Sequence, residues 1–176
     1  MKKGSESRRF SNELRELLSK DLERCRDFGD VFSVVKKAVR MVLGLGRVGL
    51  MLYIGDLPPK IFAYHVLGTN GIVINRKLLR AVSRSTLSDI EFNSTLFLIF
   101  LHEYLHSLGY VDEQRVKELV YRISKACFGE EHPVTEKALL GPEYGLHLHG
   151  YFGDNYNSEG FVLVKNFEKT NKSYIY

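Results

Sequence analysis

Leu96-Phe97-Leu98-Ile99-Phe100-Leu101-His102-Glu103-Tyr104-Leu105-His106-Ser107-Leu108-Gly109-Tyr110-Val111-Asp112-Glu113 is the stretch on which the reading of this 176-residue chain turns. An apolar run leads into His102-Glu103-x-x-His106, and on a helix residues four apart share a face. His102 and His106 can therefore offer two imidazoles to one Zn²⁺, while Glu103, one step round, is placed to act on water as a general base. The helical setting that the motif requires is present. Leu96, Ile99, Phe100, Leu105 and Leu108 recur at helical spacings and predict an inward stripe. Ser88, Asn93 and Ser94 are candidate caps, Ser88-Asp89-Ile90-Glu91 has the spacing of a capping box, and Gly109 supplies the stop. The competing reading is a buried helix whose histidines are merely hydrogen-bonded. It is disfavoured because His, Glu and His together are costly to bury without something to bind them.

A zinc site built for catalysis takes three protein ligands and keeps one position open, so a third ligand must come from outside the motif helix. The chain turns after Gly109 into a further predicted helix, Asp112 to Phe128, with Val116, Leu119, Val120, Ile123 and Cys127 on its buried face. Asp112 and Glu113, at its start, are the nearest candidates. Each has another use there, Asp112 as an N-cap and Glu113 as a partner of the helix dipole.

Upstream, Phe10, Leu14, Leu17, Leu18, Leu22 and Cys25 mark one face of a helix that Gly29 and Asp30 interrupt, and Val31 to Leu43 predicts a second. Lys36, Lys37 and Arg40 form its solvated face. Gly44-Leu45-Gly46-Arg47-Val48-Gly49 has the dinucleotide-binding spacing, but a helix precedes it and a strand, Val48 to Ile54, follows. That is the reverse of what nucleotide binding needs, so the glycines read as a helix stop and turn. Val48 to Ile54, apolar on both faces, predicts an interior strand. Ile61 to Leu67 and Ile72 to Asn75 read as antiparallel strands about the Gly68-Thr69-Asn70-Gly71 turn, with a short helix from Arg76 to Ser83. His65 lies on the first of these strands, where an isolated histidine is more often structural.

The chain is 44% apolar, long enough for one substantial core but cramped for two. Its formal charge of +4 is spread along the whole length; this suggests solubility and supports a nucleic-acid partner only weakly. Cys25 and Cys127 lie far apart on predicted helices, which argues for core positions over a disulfide or a cysteine metal site. The first thirty residues are charged and contain no apolar leader, and the apolar run Leu96 to Leu101 is too short to span a membrane, so a cytoplasmic location and no membrane partner are expected.

His102-Glu103-x-x-His106 is the signature of the zincin metallopeptidases, which the chain resembles. His-Glu-x-x-His-x-x-Gly-x-x-Asp, ending at Gly109 and Asp112, is similar to the metzincin variant, but here a helix follows immediately and no methionine lies downstream of Met51. Over Val48 to Phe128 the order of elements is closer to the small soluble gluzincins of archaea, the minigluzincins. That resemblance implies an α+β fold with a small mixed or antiparallel sheet packed on an active-site helix and a following glutamate helix. It also implies Glu113 as third ligand ahead of Asp112, Glu103 as the catalytic base, and a zinc-dependent peptidase acting on a peptide or protein substrate. His-x-x-Leu-His-x-Leu-Gly-Tyr, at His102 to Tyr110, also resembles the metal-dependent endoribonucleases of ribosomal RNA maturation, which carry a third histidine where this chain has Asp112-Glu113. A non-catalytic, zinc-stabilised regulatory or binding module is the remaining alternative.

The expected organisation is thus N-terminal helices over residues 1–43, a zincin-like metal-binding core over 44–128, and a tail over 129–176. The tail has no clear periodicity before Gly160-Phe161-Val162-Leu163-Val164. His147 and His149 alternate on one side of an extended segment flanked by Tyr144 and Tyr151, and could contribute to a site, cover the cleft, or form a surface hairpin. On the zincin resemblance, Gly71 to Asn75 is expected to be the edge strand that pairs with substrate. If the tail covers the cleft and inhibits the enzyme, the full-length chain is expected to be nearly inactive, and truncation before Gly141 to raise activity while leaving the fold intact.

Overall fold

The computed structural model describes residues 2–58, 60–86, 88–140 and 160–168, with side chains from residue 12 onward. In chain order these form α1 (Lys2–Glu23), α2 (Phe28–Leu43), β1 (Met51–Gly55), β2 (Ala63–His65), β3 (Gly71–Asn75), α3 (Arg76–Ser85), α4 (Asp89–Ser107), α5 (Glu113–Phe128), α6 (Pro133–Leu139) and β4 (Val162–Leu163). The chain is thus of mixed α+β class, with six helices and one small four-stranded mixed sheet among the described residues.

The motif helix α4 begins at Ser88, whose hydroxyl accepts from the Glu91 amide. It is more deeply placed than a one-sided stripe predicts, because every residue from Asn93 to Leu101 is buried, as are Glu103, Tyr104, Leu105 and Ser107. A helix apolar on all sides belongs in the middle of a core. Helices α1, α2, α5 and α6 surround it, and Leu22, Phe32, Val35, Val39, Leu119, Ile123 and Val134 join its side chains in one cluster. Asn93, a candidate cap in the sequence, sits inside α4 instead. Its amide donates to the carbonyls of Leu22 (2.9 Å) and Cys25 (3.2 Å), giving partners to groups at the end of α1.

Gly29 and Asp30 do not break the chain as the sequence suggests; they lie in the first turn of α2, because Asp27 caps that helix by accepting from the Asp30 amide at 2.8 Å. Gly44 closes α2 in the left-handed region at φ 68°, the predicted glycine stop.

The strand order is β2-β3-β1-β4. β1 and β3 run parallel, from Met51 opposite Gly71 to Gly55 opposite Asn75, while β2 pairs antiparallel with β3 and β4 antiparallel with β1. The β2–β3 antiparallel pairing follows the turn signal. The expectation for Gly71 to Asn75 does not hold: β3 is paired on both sides, so it has no free edge for a substrate, and among the described residues β2 and β4 are the edge strands. Asn75 fixes what lies beside the β2 edge. Fully buried, it donates from its side chain to the carbonyls of Leu57, Pro58 and Ile61, and its Oδ1 accepts from the Lys77 amide to cap α3.

Residues 160–168 add β4 to the sheet and continue into the core. Phe167 is 2% exposed and stacks on Phe32 at 4.4 Å, and the Glu168 carboxylate accepts from the amides of Gly49 and Leu50 and from Lys36. The truncation expectation is therefore corrected, since cutting before Gly141 removes a strand and a core aromatic. Helix α6 was not read from the sequence either; its start is marked only by Pro133 behind an unusual cap, His132.

Candidate metal centre

The last turn of α4 and the first residue of α5 build the centre. The α4 terminus closes with the Tyr110 amide on the Leu105 carbonyl (3.2 Å) and the Gly109 amide on His106 (3.0 Å), Gly109 taking φ 97°. This six-to-one, five-to-two pattern is the Schellman turn, and it returns the chain toward the histidine face within three residues. Asp112 then caps α5, its Oδ1 accepting from the Arg115 amide at 2.7 Å, which commits Asp112 to the helix start. Glu113 is free to reach inward. Its Oε1 lies 3.1 Å from His106 Nε2 and its Oε2 3.3 Å from His102 Nε2, and the two Nε2 atoms are 3.1 Å apart.

These separations bear on whether a cation fits. Tetrahedral zinc with bonds of about 2.0 to 2.1 Å holds its ligand atoms about 3.3 Å from one another. The two nitrogens, and each nitrogen with one Glu113 oxygen, are already near that spacing. The tautomer also fits: Tyr110 O, a pure acceptor, lies 2.8 Å from His106 Nδ1, so that nitrogen carries the hydrogen and Nε2 presents its lone pair. Glu113 is 62% exposed, where an ion pair gains little, yet its carboxylate straddles both rings. Among the described residues, His102, His106 and Glu113 are the acidic, histidine or cysteine side chains that come together in a group able to hold a metal ion.

Burial sets the electrostatics. It holds the His102 pKa down at about 4, with Glu113 opposing and the charges of His106 and Lys117 adding to the fall, so the ring is neutral near pH 7. Glu103, 5% exposed, is pushed up to about 8, first by burial and then by the Glu113 charge, against a hydrogen bond from the His65 main chain. A carboxyl with that value sits close to the pH at which it can both take and give a proton.

The centre opens on a cleft of about 260 Å³ lined by Lys60, Ile61, Phe62, Ala63, Ile99 and Lys117 together with His102, Glu103 and Glu113. A larger hollow of about 570 Å³ lies elsewhere, between Arg15, Lys125, Phe128 and His132. It borders a Ser19–His132 pair at 3.0 Å that superficially suggests an activated serine. Its hydrogen bonding argues against that: His132 Nδ1 accepts from the Val134 amide, so Nε2 carries the hydrogen and donates to Ser19 where a general base would accept from it.

Of the residues singled out in the sequence, His102, His106, Glu113 and Glu103 come together and Asp112 stands aside as a cap. His65 flanks the centre with Nδ1 2.9 Å from the Gly71 carbonyl. Tyr144, His147, His149 and Tyr151 lie outside the described residues. Sequence reasoning missed Lys60 and Lys117. It also missed Arg47, whose guanidinium donates to the carbonyls of Ser107 (2.6 Å) and Thr69 (2.7 Å) and to Asn70 Oδ1 (2.7 Å), and whose amide donates to the Tyr104 hydroxyl at 2.7 Å. An arginine among turn glycines was the available signal. Comparison with protein-family models, with curated proteins and with solved structures found no match.

Proposed function

We propose that this chain is a zinc-dependent metallopeptidase of zincin type, with His102, His106 and Glu113 as metal ligands and Glu103 as general base. The observation that carries the reading is the convergence of two imidazole nitrogens and both oxygens of one carboxylate, with contacts of 3.1 to 3.3 Å, beside a buried glutamate in an open cleft. Zinc held there would polarise a carbonyl oxygen and make water acidic enough to attack it. Glu103 accepts the proton of the attacking water and passes it to the leaving amine, its buried position keeping the proton from bulk solvent. The outer edge of β2, unpaired among the described residues and continuous with the cleft wall at Lys60 to Ala63, offers main-chain groups to an extended peptide. A structural metal is less well supported, because closed sites take four protein ligands and no fourth joins this group among the described residues.

Elemental analysis together with a broad peptide library tests the assignment. The purified chain should hold about one zinc per molecule; Glu103→Gln should keep that zinc and lose hydrolysis. Hydrolysis that survives Glu103→Gln, or metal that survives both His102→Ala and His106→Ala, would overturn it.

A further inference from the structure

The cleft walls carry two cations that the hydrolytic chemistry does not use. Lys117 lies four residues after Glu113 on α5, the spacing at which glutamate and lysine ordinarily pair along a helix. Here the Glu113 carboxylate is turned onto the histidines, and the Lys117 ammonium has no carboxylate within ion-pair distance among the described residues. Lys60 stands on another wall, in the segment that Asn75 pins beside β2, and it too lacks such a partner. Several lysines elsewhere find theirs: Lys36 with Glu168, Lys37 with Asp21, Lys125 with Glu130. The same cleft is lined by Ile61, Phe62, Ala63 and Ile99, and apolar walls of this kind focus a field. Two lysines and a bound divalent cation would outweigh all the negative charge that Glu103 and Glu113 can supply.

We propose that Lys60 and Lys117 form a carboxylate-binding subsite, so that the cleft selects peptides with a carboxylate beside the reacting bond. The proposal rests on the peptidase reading above. The carboxylate has two possible sources, an acidic side chain or a free C-terminus, and the chemistry of recognition is the same for both.

Titration calorimetry on the zinc-loaded, full-length Glu103→Gln protein separates them. The probes are three matched peptides: one blocked at both ends with a central glutamate, the same with glutamine, and the glutamine peptide ending in a free carboxylate. One or both carboxylate peptides should bind roughly fivefold tighter than the blocked glutamine peptide, which is what an exposed ion pair supplies. Whichever gains identifies the source. Lys60→Glu and Lys117→Glu, both at exposed positions, should each remove the preference, and added salt should weaken it. Equal affinity for all three peptides, binding of none, or a preference that survives both charge reversals would overturn the subsite. Wild-type turnover keeps the two readings apart. Cleavage with no carboxylate preference leaves the peptidase and removes the subsite, whereas lysine-dependent, carboxylate-selective binding without cleavage does the reverse.

Discussion

Two adjacent carboxylates, Asp112 and Glu113, show how far a residue's role depends on a few degrees of chain direction. The sequence left them as alternatives because either suits a helix start and either could reach the histidines. What separates them is the Schellman turn at Gly109, which sets Asp112 at the cap and Glu113 at the first residue of α5. Asp112→Ala should therefore lower stability by about 1 kcal/mol and leave zinc affinity nearly unchanged. On the proposed assignment zinc should raise the melting temperature of the wild type, and Glu113→Ala should weaken zinc binding at least tenfold and abolish that rise. Zinc titration followed by thermal melts decides the matter, and a weakened Asp112→Ala beside a normal Glu113→Ala would reverse the assignment. The histidine pair and Glu103 were legible because helical periodicity alone fixes i and i+4 on one face. Lys60 was not, because its place in the cleft wall depends on long-range bonds from Asn75 that no local pattern records.

At the scale of elements, the long helices were readable from their spacing, and what escaped were their ends and the short segments. The Arg47 contacts are one such end. Its guanidinium ties the carbonyl of Ser107, at the C-terminus of α4, to the β2–β3 turn, where a cation also meets the negative end of the helix dipole. Arg47→Ala should cost about 2 kcal/mol in urea unfolding, with Arg47→Lys restoring only part, since an ammonium cannot reproduce the fork. Helix α6 is another. Its cap, His132, accepts the Val134 amide on Nδ1, and its pKa is lowered from 6.5, by burial foremost and against the charge of Glu23. A histidine whose folded pKa lies below its unfolded value binds fewer protons when folded. Its contribution is fully present above pH 6.5 and is lost as the pH falls from there through the folded value. His132→Asn can still cap without titrating, so the variant should lose less stability than wild type between pH 7 and 5. Parallel stability curves for the two proteins would rule out this role for His132.

For the whole molecule, the sheet is completed by a segment far from it in sequence, which is why the order β2-β3-β1-β4 was not legible: only the β2–β3 turn is local. Glycine at position 55 reflects the same closure, since the Phe161 ring leaves no room for a side chain there. Phe167 contacts Phe32 by stacking and Phe100 edge-on, linking the chain's last described residues to α2 and α4. Phe167→Ala should cost about 3 to 5 kcal/mol, a large part of the 5 to 15 kcal/mol that holds a domain of this size together. Truncation after Leu140 should cost more still. It removes Phe167, strips β4 from β1, and takes the Glu168 carboxylate away from the amides of Gly49 and Leu50. A gain of activity on truncation would then have to be read against loosening of α4 itself, because Phe100 lies on the same helix as His102 and Glu103. Urea unfolding of the Leu140 truncation and of Phe167→Ala, each with and without zinc, is the measurement. Stability equal to wild type in both would mean that residues 160–168 contribute nothing to the core that holds the candidate metal centre.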